Sequence, residues 1–318
     1  MLNRRHLRIK VFQALYAYFQ SDDRDMPKAE RQLIFSVEKF HELYIYLLSV
    51  LNQVHRLRIE RLELAKKKRI PSAQDLNPSR AFVDNPFLVE LEENKALDEH
   101  TSRYKMEWNE ERMDIIKDVY NQMVEHEVYI SFLEKDEIDE KDSLHVLVQI
   151  FKDCIANNEL VQHAIDEASI FWSDDLDLAA SMGLKTIKAW KGKKWEGDAP
   201  LLSLFKEEKE EREFLKELFR QTIVLSGEHE NLISDKASNW DLDRIAYTDM
   251  ILMKMALAEA RTFKSIPTKV SINEYIELSK YYSTPKSGPF INGILDKLYE
   301  ELKGSGDIKK MGRGLLES

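Results

Sequence analysis

Apolar residues return every three or four positions along most of this chain, and that spacing leaves little room for anything but helix. Leu7, Val11, Ala14, Leu15, Tyr18 and Phe19 mark one amphipathic face over residues 3–20. Leu33, Val37, Phe40, Tyr44, Leu47, Leu51, Val54, Leu57 and Leu62 mark a second over residues 28–69. About forty residues is long for one globular helix, so this stretch is expected to bend or to stand out as a hairpin arm. The spacing predicts further helices over 87–98, 107–133, 142–157, 159–171 and 174–190, then over 203–226, 229–236, 240–263, 268–282 and 288–303. Only 10 Gly and 8 Pro occur in 318 residues, too few for a fold rich in strands and turns. No segment alternates with period two for long enough to predict a strand. The expected fold class is all-α.

Breakers divide the chain. SDDRDMP ends the first helix, Pro71, Pro78 and Pro86 enclose a loop, and KGKKWEGDAP at 191–200 is the clearest later interruption. Residues 304–318 lack periodicity and are expected to be a flexible tail. Near the carboxyl end, Ser287 before Gly288 and Pro289 predicts a serine cap with proline in the first turn. Ser271 and Glu274 have capping-box spacing, although a helix capped at Thr268 would already include them. Gly293, inside the last predicted helix, is expected to permit close approach of a neighbouring backbone.

The residue inventory offers catalysis little. Cys154 is the only cysteine, which excludes an internal disulfide and a cysteine-based metal site; it reads as a small core residue. His41-Glu42, His126-Glu127 and His229-Glu230 each begin like HExxH, but isoleucine stands where the second histidine belongs. No nucleotide-binding glycine loop and no nucleophile elbow occurs, and EEKEE at 207–211 reads as a solvated helix face. The expectation is a non-enzyme without cofactor, catalytic residues or bound metal. No apolar run approaches the ~18 residues needed to cross a bilayer, and no signal-peptide pattern follows the first residues, so a cytoplasmic protein without membrane attachment is expected.

A net charge of −10 repels nucleic acid in bulk, so any polyanion contact must be local. Residues 1–10 hold Arg4, Arg5, Arg8, Lys10 and His6 with no acid, at the end of a helix whose dipole favours acids. Arginines crowded there point either to a polyanion partner, with Arg4, Arg5 and Arg8 on phosphates, or to a frayed basic terminus. An aromatic-flanked basic site without a groove-reading motif fits single-stranded RNA better than duplex DNA. Arg56 to Arg69 form a second basic run, which could extend such a surface or be a solvated face. Lys185 to Trp195 form a third, where Trp190 and Trp195 could stack on bases or be buried.

These residues resemble the NusB family. RRHLRIKVFQALYAYFQ is similar to the family's opening helix, with its arginine-rich start and QALY motif. FLKELFRQTIVLSGEHENLI, NWDLDRIAYTDMILMKMALAEA and SIPTKVSINEYIELSKYYSTPKSGPFINGILDKL resemble its carboxy-terminal helices, in order. The resemblance covers residues 1–20 and 205–303 and implies two small helical bundles with a lineage-specific helical expansion between them. The division expected is 1–69 for amino-terminal helices including an RNA-binding first helix, 70–202 for the helical insertion, 203–303 for the helical core, and 304–318 for the tail.

The resemblance also implies a function: antitermination of rRNA transcription, in which the protein pairs with the small-subunit ribosomal protein that serves as NusE. The pair binds single-stranded boxA-type RNA and acts on the transcription elongation complex. Carried over, the RNA-binding cluster is Arg4, Arg5 and Arg8, with His6 where arginine is usual and Lys10 as partial compensation. The loop before the last helix adds Lys286, Ser287 and Gly288. Partner contacts fall on Tyr16 of the QALY motif and on Asp249. From the residues alone, Tyr16 could equally be a core aromatic and Asp249 a surface acid. The rival reading is a helical protein-interaction module without RNA binding. A NusB-like domain attached to an rRNA methyltransferase is a further rival, which the missing glycine-rich cofactor loop disfavours.

Overall fold

The computed structural model describes residues 2–190, 201–237 and 245–316 of the chain. It is all-α, with no strand among these residues. In chain order come α1 (Arg4–Gln20), α2 (Met26–Lys66), α3 (Ala73–Leu76), α4 (Pro86–Glu92), α5 (Lys95–Arg103), α6 (Glu110–Glu125), α7 (Glu127–Leu133) and α8 (Glu140–Gln149). A π-helical turn over Ile150–Ala156 continues α8 and is followed by α9 (Glu159–Ala168) and α10 (Leu176–Ala189). Then come α11 (Glu208–Val224), α12 (Ser226–Lys236), α13 (Tyr247–Thr262), α14 (Thr268–Tyr282) and α15 (Ser287–Gly304). The 191–200 breaker, with Trp195, and the predicted start of a helix at 240 lie outside the described residues.

The chain divides into two compact units, residues 1–37 with 204–318, and residues 38–203. The first division between these units falls inside α2, at Val37. The expected long stretch is a single 41-residue helix, about 60 Å at 1.5 Å per residue. Its one proline, Pro27, stands in the first turn, where a missing N–H costs little, and no proline or glycine follows it, so the chain can change units without ending the helix.

The first unit packs α1 against α11 and α13, with α12, α14 and α15 completing the bundle. Its core is Leu7, Val11, Leu15, Phe214, Leu218, Leu252, Met255, Tyr275 and Leu295, each at most 1% exposed. This is the apolar stripe the three-to-four spacing demands. The start of α2 is held to α11 by Arg220, whose Nη2 donates to Glu30 at 2.9 Å. The expected flexibility of the tail is not what the structure shows. Ile308 is buried, and Met311 N donates to Lys264 O at 3.0 Å, so residues 305–316 fold back on the α13–α14 loop. Two local expectations also fail. Among the described residues, Gly293 has no atom from outside its own helix turn within 4 Å of a Cβ built on it, so none of their backbone approaches it. Ser271 does not cap α14, because its hydroxyl donates to Glu259 at 2.6 Å; a buried carboxylate is the stronger acceptor.

The second unit gathers the rest of α2 with α4 to α10. Tyr44 of α2 shares a 2.7 Å hydrogen bond with Thr186 of α10 and accepts from Leu202 N at 3.0 Å. Trp172 Nε1 donates to Lys39 O at 2.8 Å. Cys154 is buried in the π-helical turn, as its apolar surroundings predict. Gly183 of α10 allows Phe151 to pack against the helix backbone, since a Cβ there would lie 2.3 Å from the ring. Gly183→Leu overpacks this core and is expected to cost roughly 1–3 kcal/mol in urea unfolding; an unchanged midpoint would refute the tight packing. The basic run on α2 is partly neutralised: Arg56 pairs with Glu92, Lys66 with Glu63 and Lys68 with Asp75. Arg58 lies against Tyr120 and Tyr129, and Trp190 is buried.

Candidate nucleic-acid interface

Helix α1 begins with a cap the sequence reading missed. Asn3 Oδ1 accepts from His6 N at 3.1 Å, and Asn3 N donates to His6 Nδ1 at 3.2 Å. This reciprocal box satisfies two backbone N–H groups at the helix start. It gives His6 a structural task at its Nδ1. Asn three residues before a side chain able to accept a proton was the available signal.

The three arginines fan out to three helices. Arg4 pairs with Glu210 of α11 while its guanidinium lies over the Phe214 ring, 4.2 Å from the centroid. Arg5 makes two 2.9 Å bonds to the Glu274 carboxylate on α14. Hydrogen bonding to Arg5 holds Glu274 below the usual carboxylate range, and the same contact raises Arg5. Arg8 is different in kind. Its Nε and Nη2 donate at 2.7 and 2.8 Å to Glu259 of α13, and both side chains are buried. Ser271 and Tyr275 of α14 also donate to Glu259, at 2.6 and 3.0 Å, so each carboxylate oxygen accepts two hydrogen bonds. Burial works against the Arg8 charge, but Glu259 overrides it and pushes the guanidinium up. The expected cluster is thus split. Arg4 and Arg5 are on the surface, whereas Arg8 clasps α1 to α13 and α14.

Lys10 is buried as well and takes no place on the exposed face. Ser287 is also withdrawn. It is buried as the first residue of α15, and its hydroxyl bonds Thr284 at 2.9 Å and Ser283 at 3.0 Å in the preceding turn. Lys286 beside it is exposed and has no ion-pair partner among the described residues. That turn borders a hollow of about 570 Å³ lined by Ile276, Ser279, Lys280, Gly288, Pro289 and Asn292. A second hollow, of about 720 Å³, is lined by Arg4, Arg5 and Arg8 together with Pro267, Val270 and Glu274.

The two partner positions lie close to one another on the bundle. Tyr16 is 42% exposed, which excludes a core role, and meets Tyr247 edge-on with centroids 5.8 Å apart. Tyr247, which sequence reasoning passed over, starts α13 and is 43% exposed. Asp249 sits in the first turn of α13, where the helix dipole favours an acid. It is buried, and its Oδ1 has no hydrogen-bond partner among the described residues, so it is not the surface acid that periodicity allowed. Among the described residues no helix is long and apolar enough to cross a membrane.

Comparison with known proteins bears on the bundle that carries these residues. The NusB family model matches residues 180–300. Over 88 residues the chain is 40% identical to the transcription antitermination protein NusB of Agathobacter rectalis, spanning 28% of this chain and 67% of that protein. The chain belongs to the NusB family. It is 43% identical over 105 residues to the NusB protein of Salinibacter ruber, spanning 33% of this chain and 66% of that one. With the NusB protein of Chloroherpeton thalassium it is 42% identical over 106 residues, spanning 33% of this chain and 50% of that one. The chain thus spans between half and about two thirds of the NusB proteins it matches. No solved structure matches it.

Proposed function

We propose that this NusB-family chain is a non-enzymatic RNA-binding antitermination factor that pairs with the ribosomal protein serving as NusE and engages boxA-type single-stranded RNA in the elongation complex. The observation that carries this reading is the 40–43% identity to proteins named transcription antitermination protein NusB, over the bundle that holds Asp249, Glu259 and Glu274. Arg4 and Arg5 are the RNA contacts of this proposal. Their carboxylate partners are partly solvent-exposed, surface pairs of this kind contribute about 0–1 kcal/mol, and RNA phosphate can replace them. Tyr16 is the exposed partner contact, Asp249 is the second, buried and with its Oδ1 unpartnered among the described residues, and Lys286 is an outlying cation.

Full-length protein titrated into fluorescent boxA-type RNA should bind more tightly when the ribosomal partner is present. Arg4→Gln/Arg5→Gln should weaken binding and lower the salt slope by about 0.7 per lost phosphate contact. Tyr16→Ala should abolish the tightening by the partner without changing RNA binding alone. The internal pairing of all three arginines favours the second reading, a protein-only interaction module. No RNA binding with or without the partner would establish that module in place of the RNA-binding factor.

A further inference from the structure

The folded-back tail forms one wall of the arginine-lined hollow. Five features hold it there. Ile308 N donates to Leu302 O at 2.9 Å, and Met311 N donates to Lys264 O at 3.0 Å. Lys310 Nζ donates to Phe263 O at 3.0 Å, and its burial lowers its pKa to about 8. Gly314 passes so close to the α13–α14 loop that a Cβ would sit 2.0 Å from Lys264 O. Gly312, at φ +55°, supplies the left-handed turn that leads into this contact. Only glycine fits at 314, so the tail has a defined seat.

That seat brings Arg313 and Leu316 to the same hollow as Asn3, Arg4, Arg5 and Val270. The charge balance then gives Arg313 a distinct position. Arg4, Arg5 and Arg8 each carry a carboxylate partner, Glu210, Glu274 and Glu259. The Arg313 side chain is exposed and has no hydrogen bond or ion pair among the described residues, although its backbone carbonyl accepts from Leu316 N. A cation on a concave surface with its charge unspent is suited to an anion from outside. Besides Asn3, Ser265 and the arginine-paired Glu274, the rest of the wall is apolar: Ile266, Pro267, Val270 and the exposed Leu316. Lys264 and Lys269, also exposed, flank this strip in sequence. A cationic rim around an apolar floor matches a nucleotide chain, which offers a phosphate every residue and a base or sugar face between phosphates.

We infer that residues 305–316 complete the RNA-binding groove, with Arg313 taking a backbone phosphate and the Leu316–Val270 strip receiving a base or sugar face. This rests on the RNA-binding reading above, and it adds to that reading a contact from outside the segments that resemble the family.

The test uses the full chain and a short fluorescent single-stranded RNA across a salt series. Arg313→Gln should weaken binding roughly three- to tenfold and reduce the salt slope by about 0.7. Gly314→Val should unseat the tail and lower affinity at least as much, with helical circular dichroism unchanged. Lys297→Gln removes an equal charge from an exposed site on α15 that does not line the hollow, and should leave the slope unaltered. An Arg313→Gln slope equal to the parent's would overturn the inference while leaving the RNA-binding reading intact. Tighter binding by Gly314→Val would also overturn it, because the tail would then be a cover. A parent chain that binds no RNA would remove both proposals.

Discussion

Arg8→Ala is expected to destabilise the unit containing α1 by roughly 3–5 kcal/mol, because it strands the buried Glu259 carboxylate. Ser271 and Tyr275 would still donate to Glu259, but neither supplies a positive charge. The loss should lower the thermal midpoint of that unit by roughly 6–20 °C. Since the chain has two compact units, urea unfolding should be followed by a probe confined to the affected one. Arg8→Met/Glu259→Gln removes both charges and leaves an amide oxygen to accept from the two hydroxyls. It should therefore be markedly more stable than Arg8→Met alone. An Arg8→Ala protein within 1 kcal/mol of the parent would show that the buried pair contributes nothing. Weaker RNA binding by an Arg8 variant would, on this account, accompany loss of folded protein.

Acidification is expected to weaken the same unit before its carboxylates protonate. His229 of α12 is fully buried, with burial and then the neighbouring Arg261 lowering its pKa to about 4. Lys254 also lowers it, and Glu228 opposes them. Arg261 Nη1 lies 3.3 Å from His229 Nε2 and can only donate, so the neutral ring carries its proton on Nδ1. An unfolded chain protonates this histidine near pH 6.5, whereas the folded chain resists until about pH 4. The unfolded state thus binds the extra proton in between. Stability is full above pH 6.5 and falls as pH drops toward 4, by about 2 kcal/mol at pH 5 and about 3 kcal/mol in total. His41 in the other unit is also buried and lowered to about 4, chiefly by burial, so that unit should show the same slope. Denaturation midpoints at pH 7 and pH 5 measure the effect. His229→Gln should flatten the slope of its own unit only, and a parent with no slope between these values would refute a neutral buried ring.

Much of the architecture was legible because it depends on local periodicity. The predicted spans 3–20, 159–171 and 268–282 lie within about three residues of α1, α9 and α14. The tail was illegible for the opposite reason. GSGDIKKMGRG has no apolar period, and it is ordered by backbone hydrogen bonds, one half-buried lysine and a glycine with room for no side chain. The division within α2 was equally hidden, because a helix passing between two cores keeps one continuous stripe.

The candidate site was legible by residue type and not by exposure. Three arginines at a helix start do conflict with the dipole, and that conflict marked them out. The resolution lies in α13, where Glu259 interrupts the apolar run MALAEA and, being buried, needs a positive partner. Sequence by itself determined the helices, the family and the presence of an arginine cluster, since these are properties of short segments. Only the tertiary structure decided that Arg8 is a clasp, that Arg4 and Arg5 remain on the surface, and that Arg313 joins them. Whether a charge is free depends on which carboxylate lies within about 3 Å of it, and that distance is set by chain folding across more than two hundred residues.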